Sequence, residues 1–193
     1  MSIRSPTRGL RWAASAGVLL FPLIATAAAS ERTLAAGAQT CDTTLYPLST
    51  PTARFTDSSD GTVTDSESKL MWLRCALGQT WSGTSCLGQP LLLSWQEAAE
   101  QAGTLNKSGQ YFFSDWRLPQ LPELASIAER QCRNPRINLT VFPATPAAAY
   151  WSATARPTGH VEASAYVLSF GPEGVQYVSK EERHLVRLVR SAL

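Results

Sequence analysis

Four cysteines, Cys41, Cys75, Cys86 and Cys132, stand in a chain that opens like an export leader, and together these two facts constrain the fold more than any other feature. The first residues carry Arg4, Arg8 and Arg11 with no acidic partner and run into a short apolar stretch, Ala13 to Ala29. That order of charge and apolar residues is the pattern of a secretory signal peptide. Ala27-Ala28-Ala29 fits the small-x-small cleavage rule, so residues 1–29 are read as the signal peptide and Ser30 as the mature start, with Ala36-Gly37-Ala38 a second cleavage candidate. An uncleaved anchor would need about 20 unbroken apolar residues, and Pro22 interrupts the run. The residues before Cys41, Ala38-Gln39-Thr40, are not a lipoprotein box.

An exported chain meets an oxidising compartment, where an even cysteine count predicts two disulfides. Three connectivities are possible. Cys75 and Cys86 flank a short segment containing Gly78 and Gly83 that can turn back on itself, so they are paired here. That leaves Cys41 with Cys132, which would pin the N-terminal tail to the end of the second helix. Chain entropy assigns about 3 kcal/mol to closing a short loop and more to a long one. A zinc site is a poor alternative, because no Cys-x-x-Cys occurs and His160 and His184 are far from the cysteines in sequence.

The leader also decides the charge. The whole chain has net charge +2, but without the three leader arginines 14 basic residues face 15 acidic ones, a net charge of −1. A basic balance would have suggested nucleic acid or anionic membranes as partners; that hint lies in a segment the mature protein loses. About 160 remaining residues make one domain able to bury its own core.

Residues 30–53 are rich in Ala, Thr, Ser and Pro without a strong period and read as an extended tail tied down only at Cys41. Folding begins at residue 54 and continues to 191. Asp60-Gly61 between Arg54-Phe55-Thr56 and Thr62-Val63-Thr64 is a hairpin signal, and a turn at Ser66 to Lys69 leads into the strand Leu70-Met71-Trp72. From Ser94 the period changes. Trp95, Ala98, Ala99, Ala102 and Leu105 share a helical face, Ser94 is the N-cap, and Glu97 completes a capping box. A second helix follows Pro119, with Leu121, Leu124, Ile127 and Ala128 as its apolar stripe and Pro122 in its first turn. Strands return at Tyr150 to Thr154, Ala165 to Phe170, Val175 to Ser179 and Leu185 to Arg190. Two helices between runs of hairpin-linked strands predict an α+β fold with antiparallel pairing.

Asp115-Trp116-Arg117-Leu118-Pro119, between the two helices, has landmarks on both sides: Asp60-Gly61-Thr62-Val63-Thr64-Asp65 and Leu70-Met71-Trp72 upstream, Phe142-Pro143, Tyr150-Trp151-Ser152 and Leu185-Val186-Arg187-Leu188-Val189-Arg190 downstream. In this order and spacing the chain resembles the Lcl C-terminal domain family. The resemblance implies a C-type lectin-like fold and a place outside the cytoplasm, and family members are associated with adhesion to sulfated glycans. One departure is Gln120, where the family usually has a Thr or Asn cap.

Among marked residues, Trp72, Trp95, Trp116 and Trp151 read as core, and Asp115 and Arg117 as pairing with each other or with neighbours. Trp81, inside the Cys75–Cys86 loop, is the surface aromatic able to stack on a sugar ring. Lys180 and Arg183 before the last strand, with Arg133 and Arg136 after Cys132, are where a local cationic patch could form, although Glu181 and Glu182 oppose it. The calcium motifs of sugar-binding C-type lectins, Glu-Pro-Asn or Gln-Pro-Asp followed by Trp-Asn-Asp, are absent, so no metal and no cofactor is expected. Catalysis is not expected either. No Gly-x-Ser-x-Gly elbow occurs, and two disulfides would leave no thiolate for chemistry like that of the formylglycine-generating enzymes, whose fold is related. The expected role is a non-catalytic adhesion module for a glycan or cell-surface protein; the alternative is a structural part of an envelope or surface-fibre assembly, and a third reading is an enzyme on a scaffold like that of the formylglycine-generating enzymes.

Overall fold

A computed structural model describes Met1 and residues 38–44, 46–155 and 163–192. All but Met1 belong to one compact unit, Thr33–Leu193. The leader, with Trp12 and both cleavage candidates up to Gly37, lies outside the described residues, as does His160. No helix among the described residues is long and apolar enough to cross a membrane.

The strands are β1 (Thr40–Cys41), β2 (Phe55–Asp57), β3 (Thr62–Asp65), β4 (Leu70–Leu73), β5 (Thr80–Trp81), β6 (Cys86–Leu87), β7 (Cys132–Arg133), β8 (Ala149–Ala155), β9 (Ser164–Ser169), β10 (Val175–Ser179) and β11 (Val189–Ser191). The helices are α1 (Trp95–Ser108) and α2 (Leu121–Ser126). The strands form two larger sheets, in orders β11-β4-β3-β2 and β10-β9-β8, and two small ladders, β1-β7 and β5-β6, all antiparallel. The small ladders carry the disulfides Cys41–Cys132 and Cys75–Cys86, the pairing reached from the loop argument. The architecture is a disulfide-braced α+β fold.

Neighbouring residues on the central strands point to opposite sides, as the two-residue period of a strand requires. Trp72 and Tyr150 enter a core shared with Leu124 and Ile127 of the α2 region. Leu73 and Trp151 enter a second core, with Ala98 and Ala102 of α1 and with Trp116. Each helix thus covers one core. In α1, Ser94 Oγ accepts from the Glu97 N–H at 3.3 Å, and Glu97 accepts from the Ser94 N–H at 2.8 Å, so both halves of the capping box form. Ala99 is exposed, one residue off the buried face. The missing Thr or Asn cap of α2 is made good by one side chain from another element and one from the helix itself. Thr154 of β8 accepts from the Leu121 N–H at 2.8 Å, and Glu123 accepts from the Gln120 N–H at 2.7 Å.

Two expectations change. The stretch Leu185 to Arg190 is not one continuous strand: only Val189–Ser191 joins a ladder, and Leu185 makes an isolated parallel bridge with Tyr150. Between them the Val186 and Leu188 carbonyls accept from Leu77 and Leu73. Arg187, fully buried, turns inward to donate to the carbonyls of Leu73 (2.9 Å) and Arg74 and to the Thr145 hydroxyl (2.7 Å). The tail, in turn, is held at far more than Cys41. Gln39 donates to the carbonyls of Pro135 and Ile137, and Asn138 donates to the Thr50 carbonyl. The fully buried Glu129 carboxylate takes the N–H and hydroxyl of both Ser49 and Thr50 and the N–H of Gln131, at 2.7–3.0 Å.

Burial alone would raise the pKa of Glu129, but the N–H groups of Gln131, Ser49 and Thr50 and the Thr50 hydroxyl outweigh it and hold the pKa at about 2, below the ordinary 4.5. A carboxylate with a depressed folded-state pKa stabilises the fold above its unfolded pKa and ceases to do so as pH falls toward the folded value. Glu129→Gln is therefore expected to cost on the order of 2–3 kcal/mol at pH 7. In urea melts across pH, the gap between the two proteins should close between about pH 5 and pH 2; a pH-independent gap would contradict this account. Arg187→Leu, which strands two buried carbonyls and a hydroxyl, is expected to cost about 3–5 kcal/mol in the same assay. Arg187→Lys should restore little of it, because an ammonium cannot span the three acceptors.

Candidate functional site

The charged side chains of the Asp115-Trp116-Arg117 crossing are both paired within the fold. Arg117 grips Glu123 through two bonds of 2.7 Å, which raises the guanidinium pKa and lowers that of the carboxyl. Asp115 pairs instead with Arg190 at 2.7 Å, and that guanidinium lies 3.8 Å from the centre of the Phe113 ring. Asn106 of α1 accepts from the Trp116 N–H and donates to its carbonyl, both at 2.8 Å, which sets the buried indole against Tyr111 and Phe113. These bonds fasten the chain between the helices to α1, α2 and β11.

The residues marked for binding fall in separate places. Lys180 lies over the Trp95 ring at 4.3 Å, and Arg183 reaches Glu97 at 3.0 Å and the Leu92 carbonyl at 3.1 Å, so both are committed around the start of α1. The Ser94 N–H, and after it the Arg183 charge, keep the Glu97 pKa below its ordinary value. Trp81 is half-buried. The buried Arg74 guanidinium stacks on its ring at 4.2 Å while bonding Asp57 and the carbonyls of Thr140 and Val141. Gly61, at φ 93°, lets the chain pass close to the Trp81 side chain: an added Cβ would come within 2.9 Å of it. A sugar stacking on Trp81 could use only the face away from Arg74.

Arg133 and Arg136 are exposed. Arg136 is held through its backbone, by bonds with Glu129 and Phe170. Arg133, in β7, joins two residues that sequence reasoning missed, Arg130 and Tyr46, around an open cavity of about 330 Å³ beside the Cys41–Cys132 bridge. Thr40, Asp42 and Gln131 complete the polar lining. Asp42 is oriented by Thr44, whose hydroxyl and N–H lower the carboxyl pKa first, with the Arg133 charge adding to them. Arg130 also borders a shallower hollow of about 460 Å³ with Ser49, Arg54 and Glu67. The signal available in sequence was the bracketing of Cys132 by Arg130 and Arg133; Tyr46 became visible only once the bridge brought the tail alongside.

The remaining chemistry is sparse. No group of three or more His, Cys, Asp or Glu side chains suited to a metal occurs among the described residues, and all four cysteines are bonded. His184 is partly buried, edge-on to Trp151 at 4.8 Å and 3.5 Å from Glu182, and burial lowers its pKa.

Comparison with curated proteins finds no match. A family model described as the Lcl C-terminal domain matches residues 61–190, inside the span 54–191 expected to fold and covering the Asp115-Trp116-Arg117 crossing, both helices and the Cys75–Cys86 loop. With two thirds of its length matched, the chain belongs to the Lcl C-terminal domain family.

Proposed function

We propose that this protein is an exported, non-catalytic adhesion module of C-type lectin-like fold, with residues 54–191 as the folded domain, and that it recognises an anionic extracellular or cell-surface glycan. The observation that carries the reading is the cavity beside the Cys41–Cys132 bridge, where Arg130, Arg133 and the Tyr46 ring surround one open space. Guanidinium groups match sulfate and carboxylate oxygens through paired N–H donors, and a tyrosine ring offers a face for the C–H groups of a sugar. Two disulfides agree with a location outside the reducing cytoplasm. The pairing of Asp115 with Arg190 and of Arg117 with Glu123 supports a binding role over a catalytic one, because it leaves the most conspicuous charged motif occupied in holding the fold. No calcium is needed in this scheme.

A glycan array carrying sulfated and neutral saccharides, read in calcium and in chelator, tests it. Retention on sulfated saccharides is expected in both buffers and should weaken as salt rises. Arg133→Ala and Arg130→Ala should each reduce it about tenfold, the value of one lost charge-assisted bond, without lowering the melting temperature. Retention that needs calcium, or that ignores both substitutions, would sink the proposal.

A further inference from the structure

Arg130 lines both the arginine cavity beside the Cys41–Cys132 bridge and the hollow of about 460 Å³ next to it. The lining of that second hollow combines Ala125 and Ala128, around the end of α2, with Ser49, Ser68 and Ser126. Each of these serines has already given its hydroxyl proton to the fold. Ser49 donates to Glu129 at 2.9 Å, Ser68 to Asp65 at 2.6 Å and Ser126 to the Glu123 carbonyl at 2.6 Å. A hydroxyl has one proton to donate and two lone pairs that accept. What the three serines can offer a ligand is therefore acceptor oxygens, one lone pair of Ser49 being taken by the Arg130 N–H at 2.9 Å.

The two hollows also differ in charge. Among the described residues lining the arginine cavity, Arg130 and Arg133 stand with one carboxylate, Asp42, so cations are in excess. In the second hollow the Arg54 guanidinium is already spent. It grips the buried Asp65 carboxylate through two nitrogens, and its third nitrogen lies 3.1 Å from Glu67. Two carboxylates on one guanidinium leave an excess of negative charge, and the side chain of Glu67 is 69% exposed while that of Arg54 is 8% exposed. The buried Glu129 carboxylate behind Ser49 has the same sign. Away from Arg130, the second hollow thus disfavours an anion and favours groups that donate hydrogen bonds.

We infer that the glycan spans both hollows, with an anionic sugar against Arg133 and Arg130 and an uncharged sugar next to it, whose hydroxyl groups donate to the serine oxygens and to Glu67. Arg130 stands at the junction of the two units. Sulfation of the second sugar would replace a hydroxyl donor by an acceptor and bring a negative charge toward Glu67. A protonated amino sugar there would gain from Glu67 but meet the guanidinium groups of Arg54 and Arg130. The ligand class is one in which charged and uncharged units adjoin, not one sulfated on every ring. This inference rests on the glycan reading of the arginine cavity and adds to it the length and charge spacing of the ligand.

The test uses matched sets of immobilised saccharides: monosulfated hexoses, and the same hexoses joined to a neutral, a sulfated or an amino hexose. A neutral second ring is expected to strengthen retention about tenfold over the monosulfated hexose, and a sulfated second ring to add little. Glu67→Gln should narrow the gap between those two disaccharide sets. Ala125→Gln puts a long uncharged side chain at an exposed helical position that tolerates it and lines the second hollow. It should remove the gain from the neutral ring while leaving both the retention of monosulfated hexoses and the melting temperature unchanged. Retention of monosulfated hexoses that depends on Arg133 but gains nothing from a neutral ring would overturn this inference and leave the glycan reading standing. So would tighter retention when the second ring is sulfated or carries a protonated amine, or a gain that survives Ala125→Gln. No retention of any set would overturn both.

Discussion

The buried guanidinium of Arg187 is the contact on which the rest of the arrangement turns. It lies in the segment that separates the two cores, with Leu185 and Val189 facing one and Val186 and Leu188 the other. That segment cannot run as a plain strand, because its carbonyls serve Leu73 and Leu77 across an irregular crossing. The carbonyls of Leu73 and Arg74, where β4 ends, would be stranded in the interior without a donor. Arg187 supplies it, reaches on to Thr145, and lies 4.8 Å from the centre of the Phe142 ring. Burial pushes its pKa down, but from so high a starting value that the group stays charged, and carbonyl oxygens and ring faces replace the water it gave up. An apolar residue of the same volume would fill the space and leave the acceptors unpaired.

Glu129 plays the complementary part at the other end of the chain. A buried carboxylate can stay ionised only where donors converge on it, and the donors here come from Ser49, Thr50 and Gln131. The tail is thereby folded onto the segment after α2, and the Cys41–Cys132 bridge closes an interface that hydrogen bonds already define. This explains why Tyr46 and Asp42 can line a cavity with Arg130 and Arg133. The arginine cavity is a product of the Glu129 anchor.

The sequence carried what depends on local pattern. The capped helix from Ser94, the hairpins around Gly61 and Ser66, and the bridge across the short Cys75–Cys86 loop each rest on neighbours a few residues apart. What it did not carry depends on residues far apart in the chain that meet in space. Leu185 to Arg190 has the alternation of a strand, yet the inward turn of Arg187 breaks the ladder, because carbonyls contributed by β4 outcompete pairing. Gln120 looked like a weak cap because Thr154, its substitute, lies on another element. Residues 30–53 read as tied down only at Cys41 because the acceptor of Ser49 and Thr50, Glu129, is one buried acid whose partners cannot be read from composition. Trp81 looked like a free platform because nothing in its vicinity along the chain announces that Arg74 will stack on it. The hollow between the Cys75–Cys86 loop and α1 was invisible for the same reason: its lining residues Gln101 and Leu91 carry no signal until helix and loop are set side by side.

Two of the open hollows each adjoin a disulfide, one beside Cys41–Cys132 and one beside Cys75–Cys86, and the bridges order the loops that line them. Loops ordinarily lose conformational freedom on binding, which subtracts from affinity. A loop cross-linked at its base and hydrogen-bonded along its wall, as residues 75–91 are through Cys75–Cys86 and the Leu77–Leu91 bond, has lost that freedom on folding. The same holds where the tail meets the segment carrying Arg130 and Arg133, through Cys41–Cys132 and the bonds to Glu129. The two surfaces differ in charge, one built from guanidinium groups and the other from amides and leucines. The order of the loop side of both hollows thus follows from where the bridges lie.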